Sequence, residues 1–101
     1  MADRFRITLG QLDPTVGDID GNAAKAQAAW QAGKDAGADL VALPEMFITG
    51  YNAQDLVMKP AFHVTAMRAV EELAVDCADG PALAIGCPWA EGVELFNAYL
   101  I

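Results

Sequence analysis

The sequence predicts an α/β fold, and two observations predict it. Apolar runs of strand character lie near residues 4–12, 39–43, 82–87 and 95–101, with turn-forming clusters between them. Two longer stretches, at about 22–36 and 60–77, carry their apolar residues at helical spacing instead. The expected order is β-α-β-α-β-β.

Each element has a local cause. Phe5, Ile7 and Leu9 alternate with Arg6 and Thr8, the period-two pattern of a strand. Asp13-Pro14-Thr15-Val16-Gly17-Asp18 is dense in turn formers and reads as a loop. Asn22 is expected to cap the first helix, whose Ala23, Ala26, Trp30 and Gly33 form a narrow face around one large anchor. Gly37 suits the left-handed residue that ends it. The strand at 39–43 is expected to be buried on both faces. A long loop at 44–59 follows, and loops of that length in compact domains are commonly functional. Pro60 fits the first turn of the second helix, with His63, Met67, Val70, Ala74 and Cys77 on one stripe. Asp79-Gly80-Pro81 breaks that helix, and Glu91-Gly92 turns the third strand into a fourth. The fourth stays apolar to Ile101, so the chain is expected to be the N-terminal part of a longer domain, truncated at its C-terminal end. Its last strand is expected to be unpaired and to promote aggregation.

Composition narrows the class. Of 101 residues, 54% are apolar and 20% charged, the balance of a globular protein. Fourteen acidic against six basic residues give a net charge of -8, which disfavours binding to phosphate backbones, so no nucleic-acid partner is expected. No signal-peptide core or membrane-length apolar run occurs, so no membrane partner is expected either. Cys77 and Cys87 are too few for a disulfide framework, and a reduced, cytoplasmic protein is the expectation. Gly10, Gly17 and Gly21 lack the spacing of a phosphate loop.

Few residues here can do chemistry. In Leu43-Pro44-Glu45-Met46-Phe47-Ile48-Thr49-Gly50-Tyr51, Glu45 follows the end of an apolar strand. Carboxyl ends of strands in α/β sheets are where ligands and catalytic groups collect. A glutamate after a strand is by default a solvated loop residue. Here Pro44 stiffens the strand exit, and the apolar flanks predict a partly desolvated carboxylate able to act as a general base. His63 reads as a packed or boundary residue, and with no second ligand at metal spacing no metal site is expected. Cys87, in Gly86-Cys87-Pro88, could in principle pair with a glutamate in acyl transfer, but a strand cysteine more often acts as a small hydrophobe. Cys77 reads as core for the same reason.

Several of these residues also carry a resemblance. Leu9-Gly10-Gln11-Leu12-Asp13-Pro14-Thr15-Val16-Gly17-Asp18-Ile19, Asn22 with Lys25, Ala38-Asp39-Leu40-Val41-Ala42-Leu43-Pro44-Glu45, Gly50-Tyr51 and Ile85-Gly86-Cys87-Pro88 occur in an order and spacing that resemble the N-terminus of the carbon–nitrogen hydrolase (nitrilase) superfamily. Thr49-Gly50-Tyr51-Asn52-Ala53-Gln54-Asp55-Leu56, then Lys59-Pro60-Ala61-Phe62, is most similar to the glutaminase-domain branch found in glutamine-dependent NAD synthetases.

The resemblance implies the N-terminal part of a four-layer αββα sandwich and a Glu-Lys-Cys mechanism. Glu45 matches the general base, and Tyr51 matches a position lining the substrate pocket. The matching lysine and cysteine are not in this chain, and neither Lys59 nor Cys87 stands in their place. The resemblance further implies glutamine as substrate, no cofactor for the amidase half, and a homo-oligomer. ATP, Mg and deamido-NAD would belong to a synthetase domain absent from these residues, and the 101-residue piece alone would be inactive. Two other readings stay open: a carbon–nitrogen hydrolase acting on a small amide or carbamoyl compound, and a non-catalytic module of the same fold.

Overall fold

The computed structural model describes residues 4–51 and 59–101. Six elements follow in the expected order: β1 (Ile7–Leu9), α1 (Ile19–Asp35), β2 (Leu40–Ala42), α2 (Pro60–Asp76), β3 (Ala82–Glu91) and β4 (Glu94–Leu100). They build one four-stranded sheet in the order β1-β2-β3-β4. The first three strands run parallel, each pair joined by a connection that contains a helix, and β3 and β4 form an antiparallel hairpin.

The core lies on one face of this sheet. Val41, Leu43, Ile85 and Cys87 form a single buried cluster with Ala26 and Trp30 of α1 and Ala66, Val70 and Leu73 of α2. Trp30 is the largest anchor, and its Nε1–H donates to the Pro81 carbonyl at 2.8 Å, so the indole buries its apolar body without stranding its donor. Among the described residues the opposite face is open along β1, where Phe5, Ile7 and Leu9 are 68%, 50% and 67% exposed. Leu40 and Ala42 are only half-buried, so β2 is covered on one face rather than both. A four-stranded sheet with both helices on one face agrees with the N-terminal part of the αββα sandwich that the resemblance implies.

Other expectations need correction. Asp18, not Asn22, caps α1: its Oδ1 accepts the Gly21 N–H at 3.0 Å, and its carboxylate sits at the positive end of the helix dipole. Asp18 is hidden in the sequence by the turn-rich run it ends. β1 covers three residues rather than nine, because its neighbour β2 is equally short and runs into Pro44, which has no N–H to donate. The buried stripe of α2 is Ala66, Ala69, Val70 and Leu73, continued by Cys77, while His63 and Met67 lie half-buried at its border and Ala74 faces solvent. β3 runs on past Cys87 to Glu91, where the Glu91–Glu94 pair closes the hairpin. β4 is therefore paired along one side, not unpaired. Gly37 takes the expected left-handed φ of 78°, Pro60 opens α2, and no helix among the described residues is long and apolar enough to cross a membrane.

Candidate active site

Glu45 leaves the sheet where β2 stops. The Leu43 N–H still bonds the Ala84 carbonyl at 2.8 Å, and Pro44 then ends the ladder. From Glu45 to Thr49 the chain makes a turn that folds back over β3. Two backbone bonds pin this turn: Gly86 N–H donates to the Pro44 carbonyl at 3.3 Å, and Ile48 N–H donates to the Gly86 carbonyl at 3.2 Å. The contact is so close that a Cβ on Gly86 would run into Met46 N and sit 2.8 Å from Glu45 Cα. Only glycine leaves that space. Met46, immediately after the glutamate, adopts φ 52°, a left-handed conformation that costs a non-glycine residue about 1 kcal/mol or more. Such a conformation persists where the surroundings over-determine it, and here the bonds on either side do so.

The rest of the turn is anchored inward. Phe47, Ile48 and Thr49 are fully buried. Thr49 Oγ1 lies 3.3 Å from the Met46 carbonyl, and Gly17 N–H donates to the Thr49 carbonyl at 2.9 Å. Asn22 joins three segments at one buried point. Its Nδ2 donates to the Thr15 and Ile48 carbonyls at 2.8 and 3.1 Å, and its Oδ1 accepts the Thr15 N–H at 2.8 Å. Lys25, one turn later on α1, bonds the Asp13 carbonyl at 2.9 Å. The two polar residues of α1 that stood out in the sequence thus brace the 13–18 loop, and Asn22 ties it to the turn that begins at Glu45.

On the open face of the sheet, a cleft of about 220 Å³ lies beside this strand exit, lined by Gly10, Gln11, Ala42, Pro44 and Tyr99 among others. Tyr99, from β4, donates its hydroxyl to the Leu43 carbonyl at 2.8 Å. Burial pushes the Tyr99 phenol above its ordinary value.

The expected site residues fall out as follows. The Glu45 side chain is exposed, which corrects the expectation of partial desolvation: its apolar neighbours Leu43, Phe47 and Ile48 turn into the core and away from it. Tyr51 is 66% exposed, and residues 52–56 of the branch-specific stretch lie outside the described residues. Cys87 is fully buried with its Sγ 3.2 Å from the Pro88 carbonyl, and burial pushes its thiol up to about 12, so no thiolate forms there near neutral pH. Cys77, buried at the end of α2, has its thiol raised by burial and by Asp76 and Asp79. Gly86 and Tyr99 were not expected at this site. A glycine inside an otherwise apolar strand was the available signal, since it marks a close backbone approach. Tyr99 carried none.

Comparison with known proteins gives this geometry a setting. Residues 6–100 match the family model for carbon-nitrogen hydrolases. The chain is 61% identical over its full length to a glutamine-dependent NAD(+) synthetase of Rhodobacter capsulatus, of which it spans 18%. It is 46% identical over 59 residues to the synthetase of Thermotoga maritima. Among solved structures, the glutamine-dependent NAD(+) synthetase of Cytophaga hutchinsonii superposes on 94% of the chain with a TM-score of 0.87 and 27% identity, the match covering 16% of that protein. An amidase from Nesterenkonia superposes on 87% with a TM-score of 0.73 and 27% identity, covering 34% of that protein.

Proposed function

The chain belongs to the carbon–nitrogen hydrolase family, and we propose that it carries the general base of a glutamine-hydrolysing site that supplies ammonia for NAD synthesis. The observation that carries this reading is the pinned turn at Glu45. A carboxylate stands at the carboxyl end of a parallel strand, on a backbone held from both sides and strained at the next residue. Similarity to named glutamine-dependent synthetases supports glutamine as the amide.

In the proposed reaction, Glu45 takes the proton of a cysteine thiol supplied by the rest of the domain. The thiolate attacks the side-chain amide carbon of glutamine, and a lysine, also from outside these residues, stabilises the oxyanion. Glu45 returns its proton to the leaving nitrogen, ammonia departs, and a thioester remains. Water, activated by the same carboxylate, cleaves the thioester to glutamate and frees the thiol. Tyr51 is assigned to the substrate pocket. The ammonia is consumed in the ATP-dependent amidation of deamido-NAD in a synthetase domain, to which ATP and Mg belong. Without the lysine and cysteine, the 101 residues alone hydrolyse no glutamine.

Glu45→Gln in the full-length protein tests the reading. The variant keeps the shape of the side chain but cannot accept the thiol proton, so glutamine-dependent synthesis is lost while synthesis from added ammonia is retained. Loss of both activities makes Glu45 a structural residue, and retention of both removes it from the mechanism. An enzyme that hydrolyses other small amides but supports no NAD synthesis would instead be a sibling hydrolase, the class represented by the Nesterenkonia amidase.

A further inference from the structure

We infer that Tyr99 and Gly86 are positioning residues for Glu45, a role that rests on the reading of Glu45 as the base. The two face each other across the β3–β4 hairpin as a register pair, so both act on the same spot of the sheet. That spot is the exit of β2. Tyr99 ties down the Leu43 carbonyl at 2.8 Å, two residues before the glutamate. Gly86 bonds the Pro44 carbonyl through its N–H and the Ile48 N–H through its carbonyl, bracketing the glutamate on both sides.

Each contact compensates for something the strand exit lacks. Leu43 precedes a proline, and its N–H is the last that β2 donates to β3 before Pro44, so the Tyr99 hydroxyl holds the Leu43 carbonyl where the ladder runs out. The turn must also cross β3 at backbone distance, which the missing Cβ of Gly86 allows. The left-handed Met46 shows that the turn is not at a relaxed minimum of its own. Without the two tethers, the Glu45 Cα is free to shift by a fraction of an ångström. A base that must meet a thiol at hydrogen-bond distance is sensitive to such a shift.

Tyr99→Phe deletes one hydroxyl from a half-exposed side chain and leaves the ring. In the full-length protein, with active-site concentration normalised by titration of the nucleophilic cysteine, glutamine-dependent kcat is expected to fall about tenfold. KM for glutamine should change less than about twofold, because the Tyr99 hydroxyl is bonded to the Leu43 carbonyl and is assigned to the backbone rather than to the substrate. The rising limb of the pH–rate profile should move to higher pH, since a misplaced base helps less in forming the thiolate. Gly86→Ala should lower kcat about a hundredfold, with ammonia-dependent synthesis kept as the control for folding. A Tyr99→Phe enzyme with unchanged kcat and pH profile overturns the inference. So does a loss that tracks the folded fraction alone with the pH profile unmoved. Should Gly86→Ala not fold, Tyr99→Phe still decides. Glu45→Gln measured alongside separates the two levels. An active Glu45→Gln enzyme removes the base itself, whereas an inactive one beside an unaltered Tyr99→Phe removes only the positioning role.

Discussion

At the scale of single residues, the polar side chain that matters most to the architecture is Asn22. It is fully buried, and all three of its hydrogen bonds go to backbone groups, of the 13–18 loop and of the turn that begins at Glu45. Asn22→Ala would leave the Thr15 N–H and the Thr15 and Ile48 carbonyls without these partners, at a cost of about 3 kcal/mol. Asn22→Asp keeps the acceptor but aims a carboxylate oxygen at the two carbonyls that Nδ2 now serves, so it should destabilise to a similar degree. Urea denaturation of both variants of the full-length protein, followed by fluorescence, checks this. An aspartate variant as stable as the original would mean that the two Nδ2 bonds contribute little. Asn22 also shows how a residue type misleads: asparagine near a helix start suggests a cap, whereas its amide here reaches out of the helix to cross-link two loops.

At the scale of elements, α1 is held to the sheet by one large side chain among small ones. Trp30 packs in the core, donates to the Pro81 carbonyl after the α2–β3 turn, and has the Lys34 ammonium 5.2 Å from its ring centroid. Lys34 also pairs with Asp79 at 3.4 Å, a largely solvated contact of little stabilising weight. Trp30→Phe should therefore cost about 1–2 kcal/mol, for the lost hydrogen bond and part of the ring. Trp30→Ala should cost about 3–5 kcal/mol, because a buried aromatic leaves a cavity its neighbours cannot fill. Thermal unfolding of the two variants orders these effects, and equal losses would mean that the hydrogen bond outweighs the packing. The helices and their anchors are legible in the sequence because each is written in local spacing. The extents of β1 and β3 are not, because a strand is as long as its partner allows.

At the scale of the whole molecule, both helices among the described residues cover the same face of the sheet. Phe5, Ile7 and Leu9 form an apolar row on the other, and both outer strands present a free edge among the described residues. The 101-residue chain by itself should therefore self-associate, sedimenting above its 10.7 kDa monomer mass and binding an apolar dye such as ANS. Ile7→Thr with Leu9→Thr should shift it toward the monomer while keeping strand propensity. A cooperative, monomeric unfolding transition of the unaltered chain would show that this face does not drive association. The same scale separates what could be read in the sequence from what could not. The order β-α-β-α-β-β, the apolar strands, the glycine that ends α1 and the glutamate after β2 all follow from the sequence alone, since periodicity and turn chemistry are properties of neighbouring residues. The tertiary structure alone decided what surrounds that glutamate. It turned the apolar flanks of Glu45 inward and left the carboxylate exposed, made Asn22 a strut, and brought Gly86 and Tyr99 from two distant strands to the exit of β2. The reason is physical: a backbone approach that only glycine permits, and a hydroxyl that meets a carbonyl far along the chain, depend on strand register, which is settled only when the whole sheet assembles.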